Sequence, residues 1–365
     1  MKGSAKIGVW QLCCVLLLSR LLTTLTFSPV GAERINSSDY FPSVIFAAMM
    51  ILLFSVPLML QKHYFPEKDI TDIAYTVSPL LSKASSISYV LCFLFFTLVA
   101  VARLEMFVGT IVFPDSDSAL FIILCIAAAC YAATLGLEAI GRVGTISLVL
   151  FTGAFVFIMI AMADKVETVN LSPMFYDGVA PSLTAALDAA TRTVELAFAA
   201  VLLPRANGKV GRAFAVGLLA FTCFTEMILF FVFAGLGDFA QTQMFPVHAV
   251  AVLSEFSVFR RFDVLLTGVW ILSAFIKISL LLYLQSELLQ KYFSRKWNKL
   301  YILLAGLVVL VIQVFFAGTV TDYYFTTGLA VRAGLYIVFV VVVPSVIIAA
   351  ALIKRKRGCA HAQNG

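Results

Sequence analysis

Long apolar runs separated by short polar segments constrain this chain more than any other feature of its sequence. A run of about 20 apolar residues makes a helix long enough to cross the ~30 Å hydrocarbon core of a bilayer. The composition agrees, because 62% of the residues are hydrophobic and 13% are charged, against roughly 25% charged in soluble domains. The sequence therefore predicts an all-α polytopic membrane protein.

Ten runs meet this length, and they predict ten transmembrane helices in one membrane domain over residues 1–365. The first run, 7–29, holds Arg20 and is long for the apolar part of a signal peptide, so we interpret it as a retained helix rather than a cleaved leader. The region 238–259 shows apolar residues at helical spacing after Pro246 and predicts a further outer helix, lying either along the membrane surface or over a vestibule. The other predicted spans are 42–61, 85–113, 118–137, 140–163, 183–203, 211–237, 262–289, 300–318 and 331–353.

The distribution of basic residues predicts the orientation. With the N-terminus in the cytoplasm, 17 of the 26 lysines and arginines fall on the cytoplasmic side and six on the outer side. The positive-inside rule therefore places both termini inside. The basic residues 354–357 either anchor the last helix or contact anionic lipid, and 354–365 is predicted as a cytoplasmic tail. Because the basic residues are dispersed, they do not indicate nucleic acid as a partner.

Lys277 stands alone among apolar residues in the predicted eighth helix. Asp263 and Glu287 flank the run, and at ~1.5 Å rise per residue they lie roughly 21 Å and 15 Å away. A lysine at this depth costs about 2.5 to 3.5 kcal/mol to insert, and its side chain reaches only part of the way to either surface. We therefore expect Lys277 to face either a functional polar cavity or a structural partner from another helix.

Two further helices carry arginine at depth. In the first, Ser19, Arg20 and Thr23 share one face. A guanidinium beside hydroxyl groups suits a carboxylate, either that of a structural glutamate or that of a ligand. In the third helix, Arg103 and Glu105 are two residues apart and point to different sides, so each is expected to find a partner elsewhere.

The sixth and seventh helices carry carboxylates. Asp188, Arg192 and Glu195 follow at spacings of four and three, which predicts a local ion pair between Asp188 and Arg192. The deeper Glu195, near the middle of the helix, is then left for a site. Glu226 has no local partner, so Glu105, Glu195 and Glu226 are candidates for a proton or ion relay.

The sequence does not support a disulfide framework, a metal site or an enzymatic function. The seven cysteines form no CxxC pair and six of them fall in apolar runs, so we interpret these as small buried hydrophobes. His63, His248 and His361 have no second metal ligand. No Ser/His, paired-aspartate or HExxH arrangement lies in any helix. The sequence therefore predicts no enzyme, no metal site and no cofactor.

Several short segments, taken together in their order and spacing, are typical of one known family. They are Gln11-Leu12, Phe65-Pro66, 101–114 with Ala102-Arg103, 131–142 (YAATLGLEAIGR), 195–209 (ELAFAAVLLPRANGK), Phe245-Pro246 and 261–278 (RFDVLLTGVWILSAFIKI). Through them nearly the whole chain resembles the endospore germination permease family, the B subunits of spore nutrient germinant receptors. That family belongs to the amino acid–polyamine–organocation (APC) transporters.

The resemblance implies a LeuT/APC-like fold of ten helices in two inverted five-helix repeats, 7–163 and 183–353. In such folds the first and sixth helices are discontinuous around a site at the bilayer midplane. Here they end at Pro29 and Pro204, and neither has an internal glycine. The sequence thus gives no signal for unwound turns, and we expect side chains rather than backbone to hold a ligand.

A pocket in such a fold takes side chains from the first, third, sixth and eighth helices. The ligand-binding candidates are Ser19, Arg20, Thr23, Arg103, Glu195, Phe198, Trp270 and Lys277. For Trp270, an aromatic residue on the Lys277 face, packing is the commoner role. In sodium-coupled relatives an ion bridges the first and eighth helices, and the ammonium of Lys277 is expected to occupy that place as a tethered cation.

The resemblance implies a sensor in the inner membrane of a spore that binds a small nutrient, with an amino acid as the expected ligand. Its expected partners are a large membrane-embedded A subunit and a lipoprotein C subunit, besides the lipid bilayer. The alternative is a proton-coupled amino acid permease. Uptake by the isolated subunit favours the permease, whereas binding without uptake favours the sensor.

Overall fold

Helices form nearly all of the architecture, because a helix satisfies its own backbone hydrogen bonds within a bilayer. The computed structural model describes residues 7–27, 37–114, 119–254, 263–316 and 329–363. Its α-helices are α1 (Val9–Leu25), α2 (Tyr40–Phe54), α3 (Val56–Tyr64), α4 (Ile70–Val77), α5 (Pro79–Phe107), α6 (Ala119–Leu135), α7 (Leu137–Met162), α8 (Ala180–Thr191), α9 (Glu195–Leu202), α10 (Val210–Leu236), α11 (Pro246–Leu253), α12 (Asp263–Leu289), α13 (Asn298–Phe316), α14 (Leu329–Tyr336) and α15 (Val343–Gln363). Two π-helical segments, Val108–Val112 and Ile337–Val342, extend α5 and join α14 to α15.

Among the described residues, seven helical segments are long and apolar enough to cross a membrane, and α1 and α6 are shorter apolar helices. The protein is therefore a multi-pass membrane protein. Each of the ten predicted spans contains at least one helix. The helix predicted in 238–259 is found as α11, with Val247, Val250 and Ala251 buried, while Val258 lies outside the described residues.

The predicted sixth span, 183–203, is divided into two helices, as the resemblance implies for the sixth helix of such folds. α8 ends at Thr191 and α9 begins at Glu195. Between them the N–H of Thr193 donates to the carbonyl of Ala190 at 3.0 Å, an i to i−3 bond that departs from the α-helical pattern. Thr191, Thr193 and Val194 are β-branched, which lowers their helix propensity slightly, and no glycine lies at the break.

The last helix continues through most of the predicted tail. α15 runs to Gln363, so the backbone of 354–363 extends the helix rather than forming a separate segment. The membrane-facing part of α15 and the basic residues after it therefore share one rigid element.

α1 and α12 form the centre of the bundle. α12 packs against α1, α5, α6, α7 and α13, and α1 packs also against α7 and α10. In the most apolar stretch of α12, 61% of the residues are buried, against 22% in that of α13. A polar side chain in the middle of α12 therefore meets other helices rather than lipid, which is the situation of Lys277.

Two glycines let neighbouring helices approach α1 closely. A Cβ at Gly144 of α7 would lie 2.8 Å from Cγ2 of Val15, and one at Gly217 of α10 would lie 2.5 Å from Sγ of Cys13. Both distances are shorter than van der Waals contact allows, so Val15 or Cys13 would have to shift to make room for a side chain at either position. Small residues at helix contacts are the usual means of close packing in membranes.

A short parallel β-bridge ties the start of α1 to the segment after α9. β1 (Ile7–Gly8) pairs with β2 (Ala206–Asn207). Arg205, next to β2, donates hydrogen bonds to Tyr283 and Glu287 near the end of α12. The start of α1, the end of α9 and the end of α12 therefore lie together, at what we name the basic end of the bundle.

At the basic end, Lys291 links the start of α4 to the end of α12 by hydrogen bonds. Its ammonium donates to Asp69, which caps α4, to the hydroxyl of Thr71 at 2.6 Å and to Asp72 at 2.8 Å. Burial by itself would raise the pKa of Asp69, but the charge of Lys291 and hydrogen bonds from Lys291 and Thr71 outweigh it and hold that pKa below its usual value. Burial and the neighbouring Asp69 raise the pKa of Asp72. Asp69 is therefore the carboxylate whose ionised form Lys291 stabilises more strongly.

Asp69→Asn should cost about 1.5 to 3 kcal/mol at neutral pH, the range for a hydrogen bond to a charged group. Asparagine also caps helices, so the loss of stability in Asp69→Asn comes mainly from the missing negative charge. Because the folded-state pKa of Asp69 is lowered, its contribution is present above the unfolded value of about 3.9 and is lost as the pH falls through the folded value. The unfolding temperatures of the wild-type protein and Asp69→Asn, measured from neutral to acid pH, should therefore converge at acid pH.

The matched control is Glu138→Gln. The side chain of Glu138 is 56% exposed and pairs with Arg142 on the surface, so its removal should leave the pH profile unchanged. A constant gap in stability between the wild-type protein and Asp69→Asn at every pH would contradict this account.

Candidate ligand site

Lys277 is held at the centre of the bundle by groups from two other elements. Its ammonium lies 2.9 Å from Oε1 of Glu195, 3.3 Å from the hydroxyl of Thr23 and 3.3 Å from the carbonyl oxygen of Ser19. The side chains of Lys277 and Glu195 are 7% and 5% exposed. The prediction that Lys277 meets a polar partner from another helix is therefore confirmed.

Glu195 opens α9, directly after the break, rather than lying in the middle of a helix as predicted. The hydroxyl of Ser19 donates to Oε1 at 2.8 Å, so this oxygen accepts from two side chains. The start of a helix favours a carboxylate through its N–H groups and its dipole. The group Ser19, Thr23, Glu195 and Lys277 is named the polar tetrad.

The polar tetrad is incomplete on one side. Burying two charges costs several kcal/mol per ion, and their attraction offsets this only where further hydrogen bonds satisfy both groups. The ammonium of Lys277 has three acceptors. Oε2 of Glu195, in contrast, is buried and has no hydrogen-bond partner among the described residues. An acceptor is thereby available for a donor group from a ligand.

Arg20 follows Ser19 on α1 and is 6% exposed. Its Nη2 donates to the carbonyl oxygen of Ala189 at 2.5 Å, and its guanidinium lies 5.0 Å from the ring centroid of Phe221. Ala189 is in the last turn of α8, where carbonyls lose their helical partners. Nε and Nη1 are buried without a hydrogen-bond partner in the described part of the chain. Among the described residues Arg20 forms no ion pair with a glutamate, and its hydrogen bond goes to a backbone acceptor at the break in the helix.

Phe198 and Arg103 lie on helices that flank the tetrad. Phe198 is fully buried on α9 and packs edge-on against Phe93 of α5, with ring centroids 5.5 Å apart. Arg103, near the end of α5, donates to the hydroxyl of Thr26 at 3.3 Å. These residues join α5 and α9 to the surroundings of α1.

Trp270 lies in an aromatic cluster rather than against the tetrad. Its ring stacks on Phe107 with centroids 3.6 Å apart and meets Phe245 edge-on at 5.4 Å. It precedes Lys277 by two helical turns, or about 10 Å along α12. The ring contacts of Trp270 are therefore those of a packing residue.

Asp188 joins two arginines. Its Oδ2 lies 2.6 Å from Arg192, and its Oδ1 lies 2.6 Å from Arg332 of α14. The predicted local ion pair between Asp188 and Arg192 is confirmed. Sequence reasoning missed Arg332, because the two residues are 144 positions apart and no local spacing connects them.

The two other relay candidates lie on different helices. Gln313 of α13 donates a hydrogen bond to Glu105. Glu226 of α10 is half-buried, and its Oε1 has no hydrogen-bond partner among the described residues. Within that part of the chain no hydrogen bond connects Glu105, Glu195 and Glu226, and no group of three or more His, Cys, Asp or Glu side chains could hold a metal ion.

A small cavity lies against the tetrad, toward the end of α5 and the start of α14. Its volume is about 30 Å³, which is room for about one or two water molecules. Thr23 and Lys277 of the tetrad form one wall. The other polar lining residues are Arg103, Thr191, Arg192 and Arg332.

Comparison with known proteins agrees with this architecture. Residues 7–321 match the permease family described as spore germination protein. Among solved structures 29 chains match. One is the substrate-bound outward-open state of a Na⁺-coupled sialic acid symporter, with a TM-score of 0.62 and 13% identity over 92% of this chain and 79% of the symporter. At this identity the likeness shows a shared transporter fold. No curated protein matches the sequence.

Proposed function

This chain belongs to the spore germination protein family, and we propose that it is the membrane-embedded, nutrient-sensing subunit of a spore germinant receptor. The nutrient is a small molecule, an amino acid, that binds at the polar tetrad. One observation carries the proposal. A buried ion pair lies at a broken helix, where one oxygen of Glu195 and two nitrogens of Arg20 have no hydrogen-bond partner among the described residues. The family and the fold are those of permeases rather than of enzymes.

We infer ten helices in two inverted five-helix repeats, 7–163 and 183–353. Two observations support this arrangement. α1 and the broken pair α8 and α9 both contribute to the tetrad, as the first and sixth helices do in inverted-repeat transporters. The shared fold with a symporter also covers most of this chain.

An amino acid carries the two charged groups that this site can accept. Its ammonium fits Oε2 of Glu195, and its carboxylate fits the guanidinium of Arg20. Lys277 and Glu195 hold each other at 2.9 Å, so the ligand binds by replacing part of this contact. Phe198 and Arg103 form further walls, and Trp270 lies outside the proposed pocket because its ring is stacked on Phe107.

Ligand binding acts on the break between α8 and α9. A ligand shifts a conformational equilibrium only as far as it contacts one state better than the other. Arg20 bonds to the end of α8, whereas Glu195 starts α9. A zwitterion that contacts both residues therefore favours one angle between the two half-helices, and this angle is the signal.

The receptor lies in the inner membrane of the spore, with both termini in the cytoplasm and the basic end facing it. Lys62, Lys291 and Arg205 at or near this end agree with the positive-inside rule. A large membrane-embedded A subunit and a lipoprotein C subunit carry the signal onward. These partners follow from the family, since germinant receptors are assemblies of such subunits.

Ligand response should be independent of sodium. Lys277 connects α12 to the carbonyl of Ser19 on α1, and a tethered ammonium there takes the place of a mobile cation. Binding measured in sodium chloride, potassium chloride and choline chloride should give the same affinity. A response that requires sodium and survives Lys277→Met would contradict the tethered-cation role.

The decisive test of the sensor is binding without uptake. The purified chain in lipid vesicles should bind members of an amino acid panel without accumulating labelled ligand inside the vesicles, and sugars should not bind. Accumulation above that in protein-free vesicles, driven by a proton gradient and lost in Glu195→Gln, would instead establish the proton-coupled permease.

A further inference from the structure

The cavity beside the polar tetrad has a lining of one charge sign. Its charged lining residues are Arg103, Arg192, Lys277 and Arg332, and no carboxylate is among the described residues that line it. They come from α5, from the break between α8 and α9, from α12 and from α14. The convergence of four cations is therefore a property of the tertiary structure rather than of one basic segment.

Like charges that line one small cavity repel one another. Two unit charges interact with about 4 kcal/mol at 4 Å when the effective dielectric constant is near 20. Asp188 lies behind Arg192 and Arg332, at 2.6 Å from each, and Glu195 lies behind Lys277 at 2.9 Å. Both carboxylates hold their cations from outside the cavity lining, so the space between the cations is the position at which a negative charge is most stabilised.

From this we propose that the cavity is a binding site for a small monoanion, either a halide or a carboxylate group. Its volume of about 30 Å³ has room for one or two water-sized groups, so a chloride ion or a single carboxylate group fits it. Guanidinium groups suit this role because they are weakly hydrated and present several N–H donors in a fixed plane. The hydroxyls of Thr23 and Thr191 supply further donors.

The inference goes beyond the proposed sensing function, because an anion can occupy this cavity whether the chain senses a nutrient or transports one. Thr23 and Lys277 belong to both the cavity and the tetrad. An anion in the cavity therefore lies next to Lys277 and competes with Glu195 for the same charge.

The test uses the full chain in phosphatidylcholine nanodiscs and compares sodium chloride with sodium gluconate at equal ionic strength. Chloride and acetate should each raise the unfolding midpoint saturably, by about 2 to 5 °C, whereas gluconate is too large to enter. Arg103→Gln should lose this shift and Arg103→Lys should retain most of it. The control Arg142→Gln, at a side chain that is 70% exposed, should show the full shift.

An unfolding midpoint that does not distinguish chloride and acetate from gluconate would overturn the proposal, as would an equal shift in Arg103→Gln. If Arg103→Gln fails to fold, binding of radiolabelled chloride to the wild-type protein is measured instead. Saturable binding that acetate displaces and gluconate does not supports the site, and its absence overturns it.

Amino acid binding to the same protein, measured at rising chloride concentrations, distinguishes the two sources of the anion. If the carboxylate of an amino acid ligand occupies the cavity, raising chloride should weaken amino acid binding competitively. If free chloride is the occupant, chloride should leave that binding unchanged or strengthen it. Failure of every amino acid to bind would remove the proposed sensing role, while a saturable chloride shift would still establish the anion site.

Discussion

Replacing Lys277 with methionine is expected to destabilise the protein by about 3 to 5 kcal/mol, the usual effect of breaking a buried ion pair from one side. The loss arises because Glu195, whose side chain is 5% exposed, would keep the donor from Ser19 but lose its charged partner. Lys277→Met should also abolish ligand binding, since the ligand exchanges with this contact. Chemical unfolding of the purified chain and binding of the amino acid panel measure the two effects.

The double variant Lys277→Met/Glu195→Gln should be more stable than Lys277→Met alone. It leaves neither member of this pair as an unpaired ion, and replacing both members of a buried pair is often nearly neutral. The coupling energy from the double-mutant cycle should therefore be large, about 1 to 3 kcal/mol.

The control for this cycle is Lys296→Met, at an exposed position between α12 and α13, which should change stability by less than about 0.5 kcal/mol. If the losses from Lys277→Met and Glu195→Gln simply add in the double variant, the two residues are not coupled. The central pair would then not hold the site together.

Arg20→Met should have the opposite pattern, with stability retained and ligand affinity reduced by about 10- to 100-fold. Two nitrogens of Arg20 are buried without a hydrogen-bond partner among the described residues, so a methionine of similar length removes an incompletely satisfied cation. The affinity loss follows from a charge-assisted hydrogen bond worth about 1.5 to 3 kcal/mol, since each 1.4 kcal/mol is tenfold.

A change in the ligand tests the same contact from the ligand's side. An amino acid amide lacks the carboxylate, so it should bind the wild-type protein as weakly as the amino acid binds Arg20→Met, and Arg20→Met should not distinguish the two ligands. Arg142→Met on the surface should alter neither stability nor affinity. Unchanged affinity in Arg20→Met together with a loss of several kcal/mol in stability would assign Arg20 a structural role.

Local features of the chain predicted the helices well. The apolar runs have helical counterparts, and the spacing of four between Asp188 and Arg192 correctly predicted an ion pair. The resemblance implied a break in the sixth helix, whereas no internal glycine marks its position. The β-branched residues Thr191, Thr193 and Val194 were the available signal.

The sequence predicted that Lys277 needs a polar partner, but not which residue is that partner. An isolated lysine in an apolar run must find a polar partner, and the sequence places Glu105, Glu195 and Glu226 in other predicted spans. It could not choose among them, because the choice depends on the rotation and depth of each helix. Trp270 shares a face with Lys277, yet its ring turns into an aromatic cluster with Phe107.

By itself, then, the sequence determined that this chain crosses a membrane repeatedly as helices and that Lys277 must meet polar groups within it. Both follow from local properties, namely the length of an apolar run and the high free energy of an unpaired charge in lipid. Only the tertiary structure decided which charges meet. The contacts from Lys277 to Glu195 and from Lys291 to Asp69 join residues 82 and 222 positions apart, and helix packing rather than sequence spacing brings such residues together.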